Sequence, residues 1–222
     1  MFIALSRTLR KKSALYCRDY TCSCSASKGG GRPIWQESPF LLRRCRWYAI
    51  IARSTKPRSN GGYVLVTRVL FVCLGNICRS PMAEAVFRHL VQQEGVADRF
   101  EIESGGTGGW HVGEPPHWGT LRELKERGID LSGKRARQIT AWDVESADYV
   151  VAMDQSNLRA LQRYSGRNRL DGKVHLLLDF AGEVGVRDVP DPYYEGNFDY
   201  VYELVEAGCR GLLAYIRETE GF

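Results

Sequence analysis

The chain predicts an α/β fold in which a four-stranded parallel sheet is covered by helices on both faces. Two observations carry that prediction. From Arg68 onward, segments of strand length alternate with segments whose apolar residues recur at helical spacing. The first strand, Arg68–Cys73, is a continuous apolar run of the kind found in a central strand buried on both faces. Strand–helix–strand order of this sort builds a parallel sheet with crossover helices.

The elements follow in order. Pro81–Gln93 reads as a helix, with Met82, Ala85, Val86, Phe87, Leu90 and Val91 on its apolar face. Arg99–Glu103 reads as the second strand, and Trp118–Arg127 as a helix stopped by Gly128. Asp148–Met153 is the third strand, Gln155–Tyr164 a helix, and Val174–Leu177 the fourth strand. Asp188–Asn197 is a turn-rich loop, and Phe198–Glu218 a long closing helix. No internal repeat interrupts this order. It belongs to the flavodoxin-like, Rossmann-like three-layer sandwiches, whose ligands bind beyond the carboxyl ends of the strands. Cys73 falls at such an end.

The 222 residues divide by charge. Residues 1–67 hold 13 Lys+Arg and 2 Asp+Glu, which leaves 18 basic and 24 acidic residues in 68–222. The overall +5 is therefore the sum of a basic leader and a mildly acidic domain. A domain with no dense Lys/Arg stripe gives no reason to expect a nucleic-acid partner. The leader is rich in Arg and Ser, poor in acids, and fits an organellar transit peptide. A plastid is the preferred destination, with mitochondrion or cytoplasm as alternatives. A disordered extension, or a start placed too early, would share this composition. No stretch approaches the roughly 18–20 apolar residues of a membrane-spanning helix, and no membrane partner is expected. Seven cysteines at irregular spacing do not form a secreted disulfide framework, and Cys22-Ser23-Cys24 lacks the spacing of a zinc pair. A reducing compartment and working thiols are expected, in a monomer or a weakly self-associating protein.

The chemistry gathers in Val69-Leu70-Phe71-Val72-Cys73-Leu74-Gly75-Asn76-Ile77-Cys78-Arg79-Ser80-Pro81. A strand delivers Cys73, a short loop turns its backbone N–H groups inward, and a helix N-terminus follows: a cradle for a phosphate-like dianion. Such a setting favours the thiolate, the form of cysteine that attacks. Arg79 supplies a planar fork of donors suited to two phosphate oxygens. Gly75 and Asn76 tolerate tight backbone angles. A second candidate is Asp191, in Val189-Pro190-Asp191-Pro192-Tyr193-Tyr194, where flanking prolines fix a carboxyl that can protonate a leaving oxygen.

Together these stretches resemble the low-molecular-weight protein tyrosine phosphatase family, over Arg68 to about Arg217. Matching stretches run from Val72 to Ala85, then Glu103-Ser104-Gly105-Gly106-Thr107, Gly109-Trp110-His111-Val112-Gly113, Ala136-Arg137-Gln138, Met153-Asp154-Gln155-Ser156-Asn157-Leu158 and Asp191-Pro192-Tyr193-Tyr194. The resemblance implies a hydrolase of phosphotyrosine, in protein or as a small aryl phosphate, without cofactor or metal. It implies Cys73 as nucleophile forming a cysteinyl-phosphate, Arg79 as binder of the phosphoryl oxygens, and Asp191 as general acid and then base. Ser80 would donate to the Cys73 sulfur, and Asn76 would hold the loop with Ser104 in its network. Leu74, Gly75, Asn76, Ile77, Cys78 and Ser80 group with the substrate-binding residues, as do the rim residues Trp110, Tyr193 and Tyr194. A branched apolar residue at Ile77 goes with phosphotyrosine, whereas a Thr there marks relatives acting on phosphoarginine. The family uses the pair Cys73 and Cys78 as a reversible disulfide protecting the nucleophile.

Some residues depart from the pattern or stand outside it. Lys134 stands where many members carry a His, and Glu195 where Gly is common. Cys209 reads as a packing residue, and Arg88, Arg122 and Arg127 as a solvated helix face. Arsenate reduction on the same loop would need relay cysteines, and no Cys pair lies near Asp191. A binding or sensing module without turnover would be expected to lack Cys73, Arg79 or Asp191, and all three are present.

Overall fold

Two strands precede the residue where the alternation was expected to begin. β1 (Thr55–Pro57) and β2 (Tyr63–Leu65) pair antiparallel as a small separate ladder. The computed structural model describes residues 55–57, 63–164 and 172–222. Apart from this ladder, Val66 and Thr67, the targeting segment expected over 1–67 lies outside the described residues.

The main sheet has four parallel strands: β3 (Thr67–Cys73), β4 (Phe100–Gly106), β5 (Tyr149–Ala152) and β6 (Val174–Leu176). Their spatial order is β4-β3-β5-β6. The chain steps from β3 to one side and returns to the other, so the carboxyl end of β3 is the switch point where a crevice opens. The expected sheet, its parallel sense and its helices on both faces are all present.

Among the described residues six helices accompany it: α1 (Arg79–Gln93), α2 (Trp118–Glu126), α3 (Ala141–Ser146), α4 (Gln155–Leu161), α5 (Pro192–Glu195) and α6 (Phe198–Glu220). Two of these were not expected. α3 is too short for periodicity to reveal, and its signal is the capping box of Thr140 and Asp143. α5 is one turn inside the segment read as loop, opened by Asp191 as N-cap and Pro192 at its first position. α4 stops at Leu161 rather than Tyr164, and Leu177 leaves the strand for a 3₁₀ turn, Leu177–Phe180.

The core lies on both sides of β3, whose side chains alternate between them. Val69, Phe71 and Cys73 face α1 and α6, while Leu70 and Val72 face the side holding Val144 of α3 and Leu161 of α4. α6 presents Val201, Val205, Cys209, Leu212 and Ile216, a helical stripe of wholly buried residues. Each large side chain so buried contributes about 1.5–3 kcal/mol. Phe71, Phe87 and Phe100 meet edge to face at centroid separations of 5.6 and 5.4 Å, and tie β3, α1 and β4 together. α6 passes so close to the 177–180 turn that a Cβ on Gly211 would stand 1.9 Å from the Phe180 carbonyl oxygen.

Cys209 is a packing residue as expected, its Sγ 3.7 Å from the Ala83 carbonyl and its thiol pushed up by burial. The three arginines read as a solvated face do more. Arg88 pairs with the buried Glu84 at 2.7 Å, and Arg122 and Arg127 clamp the buried Glu123 at 2.8 and 2.7 Å. A carboxylate buried between helices needs such partners, and a sequence pattern does not show them. Among the described residues no helix is long and apolar enough to cross a membrane.

Candidate active site

Residues 74–78 connect β3 to α1 and wrap around the Cys73 sulfur. Cys73 ends β3 almost wholly buried. The Asn76 backbone N–H donates to its Sγ at 3.2 Å, and Ser80 Oγ lies 3.0 Å away. Asn76 Nδ2 donates to both Ser80 Oγ (2.9 Å) and Ser104 Oγ (2.8 Å). With its oxygen accepting from Asn76, the Ser80 hydroxyl has two acceptors for its proton, the Cys73 sulfur at 3.0 Å and the Gly105 carbonyl at 3.4 Å, and a thiolate is the stronger of the two. Asn76 Oδ1 accepts from the Arg137 backbone N–H at 3.0 Å. These bonds hold Asn76 at φ +56°, a left-handed conformation that asparagine tolerates better than most residues.

The network continues beneath the loop. Ser104 Oγ donates to Glu84 Oε2 at 2.6 Å, and the same carboxylate takes Arg88 and the Lys134 ammonium. Lys134 thus stands within the network that supports the loop, as an ion-pair partner of Glu84. Asn76 and Ser80 have no accessible surface and do not line the cavity. Their place among the substrate-binding residues is corrected to support from below, because their polar groups are consumed by Cys73, Ser104 and Arg137.

Arg79 opens α1 with its side chain only 4% exposed. Its NH1 group meets Asp154 Oδ2 (2.6 Å) and the Val189 carbonyl (3.1 Å), and NH2 meets Asp191 Oδ2 (2.7 Å). Burial opposes its charge, but the charges of Cys73, Asp191 and Asp154 outweigh that and raise its pKa further. Asp191 Oδ1 also caps α5 through the Tyr193 N–H at 3.3 Å, which fixes the carboxyl over Arg79.

Asp154 is N-cap of α4, its Oδ1 accepting from Asn157 N at 2.7 Å. Burial would raise its pKa, but hydrogen bonds from Ser156, Asn157 and Arg79 and the Arg79 charge lower it. A carboxyl depressed in the folded state stabilises above its unfolded pKa, near 3.9 in model peptides, and loses that stabilisation as pH falls through the folded value. Stability measured by urea unfolding should therefore decline in that acid window. Asp154→Asn keeps a good N-cap but loses the charge. It should flatten part of that decline, and an unchanged acid limb would remove Asp154 from the account.

The nucleophile loop opens on a cavity of about 370 Å³. Cys73 and Arg79 lie in it, with Leu74, Gly75, Ile77 and Cys78 from the loop. Trp110, Tyr193 and Tyr194 form its rim, exposed by 73, 52 and 79%, and Asp191 joins them. Ser104 stands on β4, its Oγ accepting from Asn76 of the loop. Burial first, then the nearby Cys73 and Asp191 charges, push the Cys78 thiol up to about 12. Two residues carry parts that the sequence did not assign. Asp154 orients Arg79, and His111 lines the cavity with Nδ1 on Glu114 Oε2 at 2.7 Å. The three-residue spacing of His111 and Glu114 was the available signal.

Known proteins share much of this sequence and its fold. The family model described as low molecular weight phosphotyrosine protein phosphatase matches residues 68–220. A low molecular weight protein-tyrosine-phosphatase of Bacillus subtilis, YfkJ, is 47% identical over 152 residues, 68% of this chain and 97% of that protein. The phosphatase PtpA of Staphylococcus epidermidis is 44% identical over 148 residues, covering 67% of this chain and 92% of its own. The crystal structure of YfkJ superimposes with a TM-score of 0.67 at 45% identity, over 69% of this chain and 96% of that one. A solved Drosophila protein described as an arginine phosphatase gives 0.62 at 34% identity, over 67% of this chain and 97% of its own. A family match over most of the chain, a shared fold and close relatives of nearly full length agree: the chain belongs to the low molecular weight phosphotyrosine protein phosphatase family and is a phosphatase.

Proposed function

We propose that the protein hydrolyses phosphotyrosine and small aryl phosphates through a cysteinyl-phosphate, without a metal ion. One observation carries the reading: a sulfur with two donors, a buried guanidinium and a carboxyl bonded to that guanidinium share one cavity. The incoming phosphate takes the Arg79 donors and frees Asp191. The Cys73 sulfur attacks phosphorus, the P–O bond to the phenol breaks, and Asp191 gives its proton to the leaving oxygen. Asp191 then takes a proton from water as that water attacks phosphorus, the S–P bond breaks, and phosphate and the thiolate are restored. Loop N–H groups and Arg79 stabilise the developing negative charge. Trp110, Tyr193 and Tyr194 form aromatic walls that suit a phenyl ring, and the apolar Ile77 on the same surface favours an aryl group over a guanidino group.

The test is turnover of an aryl phosphate by the full chain in chelator and reductant. Wild type should be active and Cys73→Ser inactive. Asp191→Asn should lose about 10²–10⁴-fold, most for poor leaving groups. Reduced wild type with no turnover would end this reading. The redox part of the proposal is that peroxide oxidises Cys73 to a sulfenic acid, which the Cys78 thiol closes to a disulfide with loss of water. Peroxide inactivation should then be reversed by a thiol reductant in wild type and not in Cys78→Ser; equal recovery would remove the disulfide.

A further inference from the structure

We propose that His111 determines specificity, by hydrogen-bonding the main chain of a polypeptide that carries phosphotyrosine, so that such a substrate is preferred to a bare aryl phosphate. The inference rests on the phosphotyrosine reading above and adds the form in which the substrate arrives. His111 belongs to the cavity wall and is neither a core residue nor a surface one, its side chain 30% exposed. A carboxylate only accepts, so the 2.7 Å contact with Glu114 requires a proton on Nδ1 and leaves Nε2 as the open ring nitrogen. That edge of the ring faces the nucleophile loop: a Cβ on Gly75 would stand 3.0 Å from His111 Cδ2 and 3.7 Å from Nε2. On its other side the ring centroid is 6.4 Å from that of Tyr193. The pair is held in a tied turn. Glu114 N donates to His111 O at 2.9 Å, Gly113 N to Ala136 O at 2.8 Å, and Ala136 N to Glu114 O at 2.9 Å.

A phosphotyrosyl group with its phosphate on the loop and its ring between Trp110 and the tyrosines brings its main chain to the mouth, beside His111. A neutral Nε2 accepts a main-chain N–H, and a protonated one donates to a main-chain carbonyl. An aryl phosphate has neither group.

The experiment compares kcat/KM for a phosphotyrosyl peptide with that for 4-nitrophenyl phosphate, as a ratio. His111→Phe keeps an aromatic ring against Gly75 and Tyr193 but removes Nε2. It should lower the ratio roughly three- to tenfold, the value of one hydrogen bond, through KM for the peptide. Glu114→Gln no longer fixes the tautomer and should lower it less. An unchanged ratio in His111→Phe, or equal losses on both substrates, overturns the proposal. So does a wild type that turns over the aryl phosphate but no phosphotyrosyl peptide, and that result leaves the chemistry of Cys73, Arg79 and Asp191 standing.

Discussion

Arg79→Lys is expected to lower kcat/KM for an aryl phosphate by on the order of 10³-fold, although the positive charge is kept. The reason is geometric. The guanidinium divides its donors among Asp154, the Val189 carbonyl and Asp191 along two separate N–H directions. An ammonium presents its donors from one point and cannot hold Asp154 with one edge while offering the other to phosphate. Both carboxylates also lose part of a charge-assisted bond in a partly buried setting, so stability should drop by about 1–3 kcal/mol. Kinetics at several aryl phosphate concentrations beside urea unfolding separate the two effects. A loss below tenfold in a folded Lys variant would mean that the loop amides bind the dianion without Arg79.

How far the sequence shows this site depends on the interaction that fixes each residue. Cys73, Arg79 and Asp191 are legible because each sits beside a local punctuator: a strand end, a helix start, a pair of prolines. The central strand is legible because burial on both faces leaves an unbroken apolar run. The helix α3 is not, since six residues give less than two turns of periodicity. Asp154 is not legible as the orienter of Arg79, because the two lie 75 residues apart and meet only after β5 is placed beside β3. Ser104 enters only through the family resemblance, and its ion-paired footing is not legible at all, since Glu84 on α1 and Lys134 meet beneath it through tertiary contact alone. Asn76 and Ser80 show the limit from the other side. Their position in a phosphate-binding loop suggests contact with substrate, whereas the fold spends their polar groups inward.

Asn76→Ala should therefore cost more than any single contact at the rim, on the order of 3–5 kcal/mol of stability, and with it most of the turnover. Two separate penalties add. Ser80 Oγ, Ser104 Oγ and the Arg137 N–H each lose a buried partner, and alanine must adopt the left-handed φ of +56° that Asn76 holds. Asn76→Gly divides them. Glycine accepts that φ without strain but supplies no side-chain donor, so it should recover about 1 kcal/mol and leave the polar losses in place. Urea unfolding of both variants gives the stability terms, and kcat on an aryl phosphate gives the functional one. If Asn76→Ala lies within about 1 kcal/mol of wild type, the left-handed turn is held by the remaining loop contacts and the support account fails. If both variants are destabilised and both lose kcat, the donors that hold the loop from below also aim Ser80 at the sulfur. The nucleophile loop then cannot be loosened without weakening the core beneath it, because Asn76 bonds at once to Ser80 beside Cys73 and to Ser104, which is itself bonded to Glu84 of α1.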